Sequence, residues 1–487
     1  MTETAPGARL SATTLATGLP YDRSAITPGI VHLGIGAFCR GHLAVYVDDM
    51  LRTDPSWGIV GASLRRPDTR QALAPQDFLY TLAVRSGSGT STRVIGSVLD
   101  VLDAATQRDE LIAAMADPRI RIVSLAVTEK GYCHDPSTGA LDPQHPDILN
   151  DLAHPETPVS TPGLIVRALE LRRAIGVAPF AVLSCDNLPE NGQTTARIVT
   201  GFAALRDSAL ADHIRRDVAF PSTMVDRIVP ATTEDDRKLV LEATGLWDAW
   251  PVVTEPFSQW VIEDRFPQGR PAFETAGAEL VADVRPFELM KLRMLNGSHS
   301  ALAYLGYLAG YEFVSQAIAD PAFRTLIYDF MTDEVMSTLP ASLGDFGAYR
   351  DTLLERFANP ALRHRTWQIA MDGSQKLPQR LLGTIRDRLA AGKSVRCAAL
   401  GVAGWMRYVT GPDEAGRPID VRDPLAPRLR SIADDAAGNP ERLVEGLLRI
   451  PEVFGADLPQ ASAFSAELVD GVSRLYRLGA RETVRLS

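Results

Sequence analysis

The sequence predicts an α/β N-terminal domain built on an enlarged, doubly wound parallel sheet, followed by a predominantly α-helical C-terminal domain. Three observations support this fold class. The chain has 487 residues, too many for one ordinary core, which indicates two domains of roughly 200 to 300 residues each. From Ile30 onward, short apolar runs alternate with amphipathic helical stretches, as in parallel sheets. After Pro286 the pattern becomes helical.

The N-terminal half contains the strands and helices of a repeated βαβ arrangement. Its apolar runs predict strands over 30–33, 58–64, 93–98, 120–128, 180–185 and 224–229. Its amphipathic stretches predict helices over 42–52, 107–115 and 163–175. We therefore expect an N-terminal domain over residues 1–284.

The C-terminal half carries long stretches with helical spacing of apolar residues. They predict helices over 287–308, 321–336, 377–391 and 461–478. We therefore expect a second domain over residues 285–487.

Composition and charge exclude several classes of function. A formal net charge of -10 argues against a nucleic-acid partner, because such proteins usually carry a basic face. No apolar stretch is long enough to span a bilayer, and the N-terminus lacks the pattern of a secretory signal. The four cysteines and eight histidines are scattered without zinc-ligand spacing. We expect a cytoplasmic enzyme with a small-molecule substrate, without a metal site or a membrane partner; the sequence leaves its oligomeric state open.

The first predicted strand runs directly into a Gly-x-Gly turn. Gly34 permits a tight turn and Gly36 lets the backbone approach a pyrophosphate at a helix N-terminus, as in a Rossmann-type domain. The third position of the fingerprint holds Cys39 instead of glycine or alanine, and an ordinary strand-to-helix turn remains the alternative.

The next strand ends shortly before an acidic residue that fits a dinucleotide site. Asp68 is positioned to accept hydrogen bonds from the adenosine ribose, which favours NAD. The neighbouring Arg65 and Arg66 would instead suit the 2′-phosphate of NADP, and a solvated loop is the third interpretation. We predict NAD as the cofactor.

An apolar helix in the second half carries a polar constellation. At about 100° per residue, Glu288, Lys291, Asn296 and His299 fall within one arc of roughly 140°. Lysine is scarce in this chain, at Lys130, Lys238, Lys291, Lys376 and Lys393. Burial disfavours the ammonium form, so a buried lysine can accept the proton of a hydroxyl group as hydride leaves its carbon. A satisfied interface lysine beside an ordinary core histidine is the alternative.

A second polar segment, from Ser184 to Gly192, follows a predicted strand. The carboxyl end of that strand would bring Asn187 close to a bound nicotinamide. Asn187 and Asn296 would together supply amide donors to an alkoxide, although a plain turn also uses Asn and Gly.

Several segments together resemble the polyol-specific long-chain dehydrogenase family. The most specific marks are the segments 31–38, 127–133, 184–187, 224–228 and 255–261, and the spacing of Lys291, Asn296 and His299. The resemblance implies a metal-independent, NAD-dependent enzyme that interconverts a secondary alcohol and a ketone on an acyclic sugar derivative.

The resemblance also implies roles for individual residues. Lys291 is similar to the catalytic base, Asn187 and Asn296 to the oxyanion-stabilising amides, and His299 to the residue that orients the substrate. Glu288 corresponds to the acid that links the lysine to solvent, and Asp226 to a position near the substrate. The predicted cofactor contacts are Gly34, Gly36, Phe38 and Asp68.

The segment around Lys376 bears on the substrate. Family members that act on mannitol tend to carry arginine eight residues before this lysine, where this chain has Gln368. The surrounding residues resemble members that act on D-fructuronate, and Arg365, Lys376 and Arg380 are candidate partners for its carboxylate. Exposed, salt-bridged arginines are the alternative.

We therefore expect the pair D-mannonate and D-fructuronate as substrate and product, with D-mannitol and D-fructose as the alternative pair. A nucleotide-binding protein that has lost its chemistry is a remote third interpretation.

Overall fold

The computed structural model describes residues 7–16, 18–87, 89–135 and 138–487. The chain divides into two compact units, Met1–Arg285 and Pro286–Ser487. None of the helices in the described part of the chain is both long and apolar enough to cross a membrane.

A five-stranded parallel sheet forms the centre of the N-terminal unit. Its strands, in order across the sheet, are Val98–Asp103 (β5), Gly58–Ser63 (β2), Pro28–Leu33 (β1), Ile122–Leu125 (β6) and Ala181–Ser184 (β7). The connections change direction between β1 and β6, and doubly wound sheets bind ligands beyond the carboxyl ends of the strands at such a point. This architecture confirms the α/β fold class predicted for the N-terminal half.

Two three-stranded sheets complete the N-terminal unit. In the first, Tyr80–Ser86 (β3) lies between Gly89–Ile95 (β4) and Val252–Thr254 (β9); in the second, Gln259–Glu263 (β10) lies between Thr223–Asp226 (β8) and Glu279–Val281 (β11). The pairs β3–β4 and β8–β10 are antiparallel, and the other two pairs are parallel.

The single strand predicted over 93–98 is wrong, because these residues end β4 and begin β5, which belong to different sheets. Gly96 and Ser97 separate the two strands. The Gly96 N–H donates to the Asp48 carboxylate at 2.8 Å, and the Ser97 hydroxyl donates to the Ala44 carbonyl at 2.7 Å. These bonds hold the chain between the sheets.

Nine α-helices lie in the described part of the N-terminal unit before Arg285: Ala37–Gly41 (α1), Leu43–Met50 (α2), Asp68–Leu73 (α3), Arg108–Ala116 (α4), Pro146–Ala153 (α5), Thr161–Ala174 (α6), Asn191–Arg206 (α7), Ser208–Asp217 (α8) and Glu234–Thr244 (α9). The predictions for α4 and α6 agree with the structure to within two residues. The helix predicted over 42–52 is confirmed as α2 to within two residues, whereas the short helix α1 before it was not predicted and is separated from α2 by a non-helical His42, at φ -130° and ψ -90°.

The central sheet is covered on both faces. Along β1, Ile30 packs into one apolar cluster, while Val31 and Leu33 pack into another. All three side chains are fully buried, as expected for a parallel sheet between two layers of helices. The loops at its carboxyl edge are thus mounted on a rigid core.

The C-terminal unit is helical, as predicted. Its α-helices are Arg285–Met290 (α10), Gly297–Leu308 (α11), Val314–Ala319 (α12), Pro321–Asp329 (α13), Phe346–Ala358 (α14), Thr366–Ala370 (α15), Gly373–Leu377 (α16), Gly383–Ala390 (α17), Arg396–Tyr408 (α18), Ala426–Ala436 (α19), Pro440–Leu448 (α20), Pro451–Phe454 (α21) and Ser462–Arg485 (α22). Three π-helical segments, Lys291–Asn296, Phe330–Val335 and Pro378–Leu382, continue helices that the sequence predicts as plain α-helices.

The helix α18 is buried from Cys397 to Tyr408 and packs against α11. Two glycines of α18 allow this close approach. A Cβ atom at Gly404 would lie 2.8 Å from the Leu305 side chain, and one at Gly401 would lie 3.2 Å from the Ala301 side chain. Packing against α18 therefore fixes the position of α11, which carries His299.

Candidate active site

A cavity of about 460 Å³ opens at the carboxyl edge of the central sheet in the N-terminal unit. Its walls include the loops that follow β1, β2 and β6, with Gly34, Gly36, Arg65, Arg66 and Thr128 among the lining residues. The cavity thus lies at the point where the strand order changes direction, as expected for a ligand site in this fold.

The two glycines of the turn after β1 have different roles: Gly34 allows the tight turn, and Gly36 leaves open space at the cavity wall. Gly34 has φ +92°, and a Cβ atom there would lie 2.2 Å from the Ala126 carbonyl oxygen. A Cβ atom at Gly36 would have only the Gly34 oxygen within 4 Å, at 3.8 Å, so that it would project into open space. Gly36 also caps the N-terminus of α1. The bare backbone at the cavity wall fits the diphosphate of a dinucleotide.

Phe38 and Asp68 do not belong to the described lining of the cavity. The Phe38 ring stacks on His42, with ring centroids 5.1 Å apart. Asp68 begins α3, and its carboxylate lies 3.4 Å from the Arg66 side chain. Arg65 and Arg66, which follow β2, both line the cavity. An anionic group bound there would therefore contact both arginines, while Asp68 pairs with Arg66.

A half-buried carboxylate that was not predicted as a site residue, Asp186, organises the loops after β6 and β7. Asp186 accepts hydrogen bonds from the N–H groups of Val127 at 2.9 Å and Thr128 at 3.0 Å, and from the Tyr132 hydroxyl at 2.8 Å. Thr128 has φ +64°, which is rare for a residue with a side chain. Burial raises the pKa of Asp186, against the effect of its donors. Asp186 therefore holds the cavity wall in a strained conformation.

The loop after β7 carries Asn187, whose side chain is exposed. Asn191 fixes the far side of this loop: its side-chain N–H groups donate to the carbonyls of Ser184, Asp186 and Thr223, and its oxygen accepts the Thr223 N–H. The run of polar residues directly after a buried strand is the sequence signal for such an anchored loop.

Asp226 lies in the second small sheet of the N-terminal unit. It is the last residue of β8, is 4% exposed and pairs in register with Gln259 of β10. The backbone N–H of Ile228, two residues after Asp226, donates to the Glu255 carboxylate at 2.8 Å. The end of β8 is therefore held by a buried acid from a neighbouring loop.

Lys291 and Asn296 begin and end the first π-helical segment of the C-terminal unit. In an α-helix, residues five apart in sequence are separated by about 140° around the helix axis. A π-helix has wider turns, in which hydrogen bonds join residues five apart, so that such residues lie about one turn apart. Lys291 and Asn296 therefore project to the same side of the helix, and the arc of roughly 140° predicted from α-helical spacing is too wide. Lys291 is only 9% exposed. Single π-helical turns are frequent at functional sites.

Glu288 and His299 lie on either side of the π-helical segment. Glu288 belongs to α10 and is half-buried, whereas His299 belongs to α11 and is buried. The His299 ring lies edge-on to His364, with centroids 5.0 Å apart, and tilts against Phe357 at 4.7 Å. His364 was not predicted as a site residue, although its neighbour Arg365 was.

Both histidines favour the neutral form. Burial lowers the pKa of His299 well below its usual value, and the nearby His364, Arg380 and Arg356 lower it further. Burial, with the charges of Arg380 and Lys376, lowers the pKa of His364 to about 4. Neutral imidazoles can donate and accept hydrogen bonds at neutral pH, as recognition of hydroxyl groups requires.

Arg380 approaches α11 from the third π-helical segment. The guanidinium Nη1 donates to the Ser300 hydroxyl at 3.3 Å. Gly297 permits this approach, because a Cβ atom there would lie 2.8 Å from the Arg380 carbonyl oxygen. Within the described residues, no carboxylate forms an ion pair with Arg380. Burial lowers its pKa, but an arginine remains charged. The Arg380 guanidinium is therefore a cation beside His299 that could bind an anionic group of a substrate.

The other two predicted carboxylate partners have different surroundings. Arg365 is 54% exposed, and its guanidinium lies 3.5 Å from the Glu312 carboxylate. The Lys376 ammonium donates to the carbonyls of Met371 at 2.5 Å and Ile369 at 3.4 Å. Gln368 is exposed. Of the three predicted cations, the structure therefore brings Arg380 together with His299 and leaves Arg365 paired to an acid elsewhere.

Comparison with known proteins identifies the family. The family model described as the mannitol dehydrogenase Rossmann domain matches residues 28–275, and that of the mannitol dehydrogenase C-terminal domain matches residues 283–476. D-mannonate oxidoreductase of Escherichia coli is 47% identical over 470 residues, covering 95% of this chain and 96% of that protein. Mannitol 2-dehydrogenase of Aspergillus fumigatus is 41% identical over 475 residues, covering 95% and 94%.

A solved structure agrees with these matches. The ternary complex of Pseudomonas fluorescens mannitol 2-dehydrogenase with NAD and D-mannitol superposes with a TM-score of 0.85 at 40% sequence identity. The match covers 99% of this chain and 97% of that one. The family expected from the sequence motifs is thus confirmed, and the chain belongs to the mannitol dehydrogenase family.

Proposed function

We propose that this chain interconverts D-mannonate and D-fructuronate as an NAD-dependent oxidoreductase. We base the choice of substrate on one observation: the Arg380 guanidinium lies beside His299 and has no carboxylate partner among the described residues. The family membership and the mannonate-acting relative of Escherichia coli support the same assignment.

The chain is an NAD-dependent oxidoreductase of the mannitol dehydrogenase family. The cofactor, when bound, supplies acceptance and donation of hydride at the reacting carbon. We propose that residues 1–284 hold it, with Gly34 and Gly36 against the diphosphate, and that residues 285–487 supply the substrate-binding groups. The open space at Gly36 in the cavity supports this division of roles.

We propose Lys291 as the base. During oxidation of D-mannonate, hydride leaves the alcohol carbon and the hydroxyl proton passes to the Lys291 amine; reduction of D-fructuronate reverses both transfers. The low exposure of Lys291, 9%, at the start of the π-helical segment supports this role, because a lysine with no function is seldom buried to this extent. Glu288, one turn earlier, would then pass the proton toward solvent.

The amide of Asn296 projects to the same side of the helix as Lys291 and is proposed to donate to the developing alkoxide. The resemblance assigns the second amide donor to Asn187 and a place near the substrate to Asp226. The neutral His299 would orient a substrate hydroxyl group, since its low pKa leaves it uncharged at neutral pH.

Arg380 distinguishes the two substrate pairs. Burying a cation without a counter-charge is costly, and a carboxylate can satisfy a guanidinium with two parallel hydrogen bonds. D-fructuronate offers such a carboxylate at the end remote from its ketone, whereas D-fructose offers a hydroxyl group there. Arg365 and Lys376 remain candidates for more distant contacts with the same carboxylate.

The pair D-mannitol and D-fructose is the second candidate. The neutral imidazoles of His299 and His364 favour it, because they suit a substrate that bears only hydroxyl groups.

Initial rates of NADH oxidation with D-fructuronate and with D-fructose separate the two candidates. We expect kcat/KM for D-fructuronate to exceed that for D-fructose by about 10-fold or more, the equivalent of one charge-assisted contact. Preference for D-fructose would make the chain a mannitol 2-dehydrogenase.

A further inference from the structure

Three side chains capable of binding metal meet beside the cofactor cavity. Cys133 follows the 3-10 turn Glu129–Tyr132, and His145 and Asp147 flank the first residue of α5. Their ligand atoms, a thiol sulfur, an imidazole nitrogen and a carboxylate oxygen, all lie within 4.8 Å of one another. In a tetrahedral zinc site such atoms are about 3.5 Å apart, so modest side-chain rotations would complete the geometry.

The backbone holds the two segments of this cluster together. The Asp142 N–H donates to the Cys133 carbonyl at 2.9 Å, and the His145 N–H donates to the Asp142 carbonyl at 3.2 Å. Cys133 itself has φ +51°, in the left-handed region that residues with side chains rarely adopt. The spacing of Cys133, His145 and Asp147 along the chain resembles no familiar zinc motif, so only the fold reveals the cluster.

The electrostatic surroundings favour a cation. The Cys133 thiol is buried, and its sulfur interacts electrostatically with three carboxylates, those of Asp147, Asp151 and Asp142, and with one opposing cation, Arg65. The carboxylates outnumber the cation, so the potential at the sulfur is negative. A divalent cation would neutralise both the thiolate and the Asp147 carboxylate.

We propose that Cys133, His145 and Asp147 form a binding site for one thiophilic divalent cation of the zinc type, with water as the fourth ligand. Binding forms the metal–sulfur bond and releases the thiol proton to solvent. His145 Nδ1 now accepts the Asp147 N–H at 3.2 Å as the cap of α5. Coordination through Nδ1 would exchange that weak bond for a metal bond.

The site would connect metal binding to cofactor binding. Cys133 and Asp147 both line the cavity that carries Gly34 and Gly36. A cation with its water would occupy part of this space, so the cation and the dinucleotide would compete. This competition rests on the proposed cofactor site, whereas the metal site itself does not.

Titration of the reduced, full-length protein with Co²⁺ tests the site, because a thiolate ligand gives cobalt a charge-transfer absorption. We expect one equivalent to bind with this absorption. Cys133→Ser should abolish it, and His145→Asn, which keeps a cap for α5, should weaken binding about 10-fold or more. Cys397→Ser removes a buried cysteine of the C-terminal unit and should change nothing. Absence of the band in the wild type, or its persistence in Cys133→Ser, would overturn the proposal.

Binding of NADH in the presence of saturating Zn²⁺ tests the competition. We expect NADH affinity to fall about 10-fold in the wild type, an effect that His145→Asn should relieve. Cobalt bound through Cys133 without any change in NADH affinity would refute the competition and leave the metal site intact. Normal NADH binding without cobalt binding would refute the metal site and leave the proposed function intact.

Discussion

The Tyr132 hydroxyl offers a single-atom test of how the cavity wall is held. It donates to the half-buried Asp186 carboxylate at 2.8 Å and lies 2.6 Å from the Ser184 hydroxyl. Asp186 in turn holds the N–H groups of Val127 and Thr128, which line the cavity. Tyr132→Phe removes both hydrogen bonds, the one to the charged group and the one to the Ser184 hydroxyl, which together are worth about 3 kcal/mol. We therefore expect the Tm of the N-terminal unit to fall by about 5 °C.

The same change should weaken NADH binding several-fold, because the strained Thr128 loses part of its support. Thermal unfolding and NADH titration measure the two effects. Tyr80→Phe is the matched control: the Tyr80 hydroxyl is also buried but donates at 2.6 Å to the Arg40 carbonyl, and neither residue lines the cavity. That variant should lose about 1 kcal/mol of stability and keep its NADH affinity. Equal loss of NADH affinity in both variants, or none in Tyr132→Phe, would refute the reasoning.

Three further predictions concern chemistry, cofactor choice and pH. Lys291→Ala should lower kcat by about 10³-fold or more with little change in NADH affinity; near-normal turnover would remove Lys291 as the base. The wild type should prefer NAD over NADP, and Asp68→Ala should erode that preference by releasing Arg66; a wild type that prefers NADP would contradict the assignment. Burial lowers the pKa of His32 to about 4, below its unfolded value of about 6.5. Because the unfolded chain then binds the extra proton, stability should fall as pH drops from about 6.5 to 4, by about 3 kcal/mol for this group. His32→Gln should flatten the pH profile of Tm, and an unchanged profile would show that His32 does not cause the loss.

Most of the fold could be predicted from local patterns. The apolar runs that give β1 and β2 and the amphipathic stretches that give α4 and α6 depend on burial of nearby residues, which periodicity records. The small sheets could not be predicted in this way. The strand β9 pairs with β3 although about 170 residues separate them along the chain, and no local pattern encodes that pairing.

The candidate site was predictable where a residue type carries its own physical signature. Gly34 could be inferred because only glycine suits its positive φ, and Lys291 stood out as a rare lysine in an apolar helix. The π-helical segment could not be inferred, because α- and π-helices share similar apolar patterns over a few residues. His364 and Asp186 act through tertiary contacts with residues that are distant in sequence, so their importance appears only in the folded chain. The catalytic roles of the site residues remain predictions.

If Arg380 selects a substrate with a carboxylate, its loss should change the preference of the enzyme for D-fructuronate over D-fructose. The ratio of kcat/KM for D-fructuronate to kcat/KM for D-fructose should be measured in the wild type, in Arg380→Ala and in Arg363→Ala. Arg363 is an exposed arginine whose guanidinium lies 5.1 Å from the Phe313 ring centroid, and serves as the matched control. We predict that Arg380→Ala lowers the ratio by about 10- to 100-fold, the effect of losing one charge-assisted contact, while Arg363→Ala leaves it unchanged. Parallel loss of both activities in Arg380→Ala, with the ratio preserved, would contradict the claim.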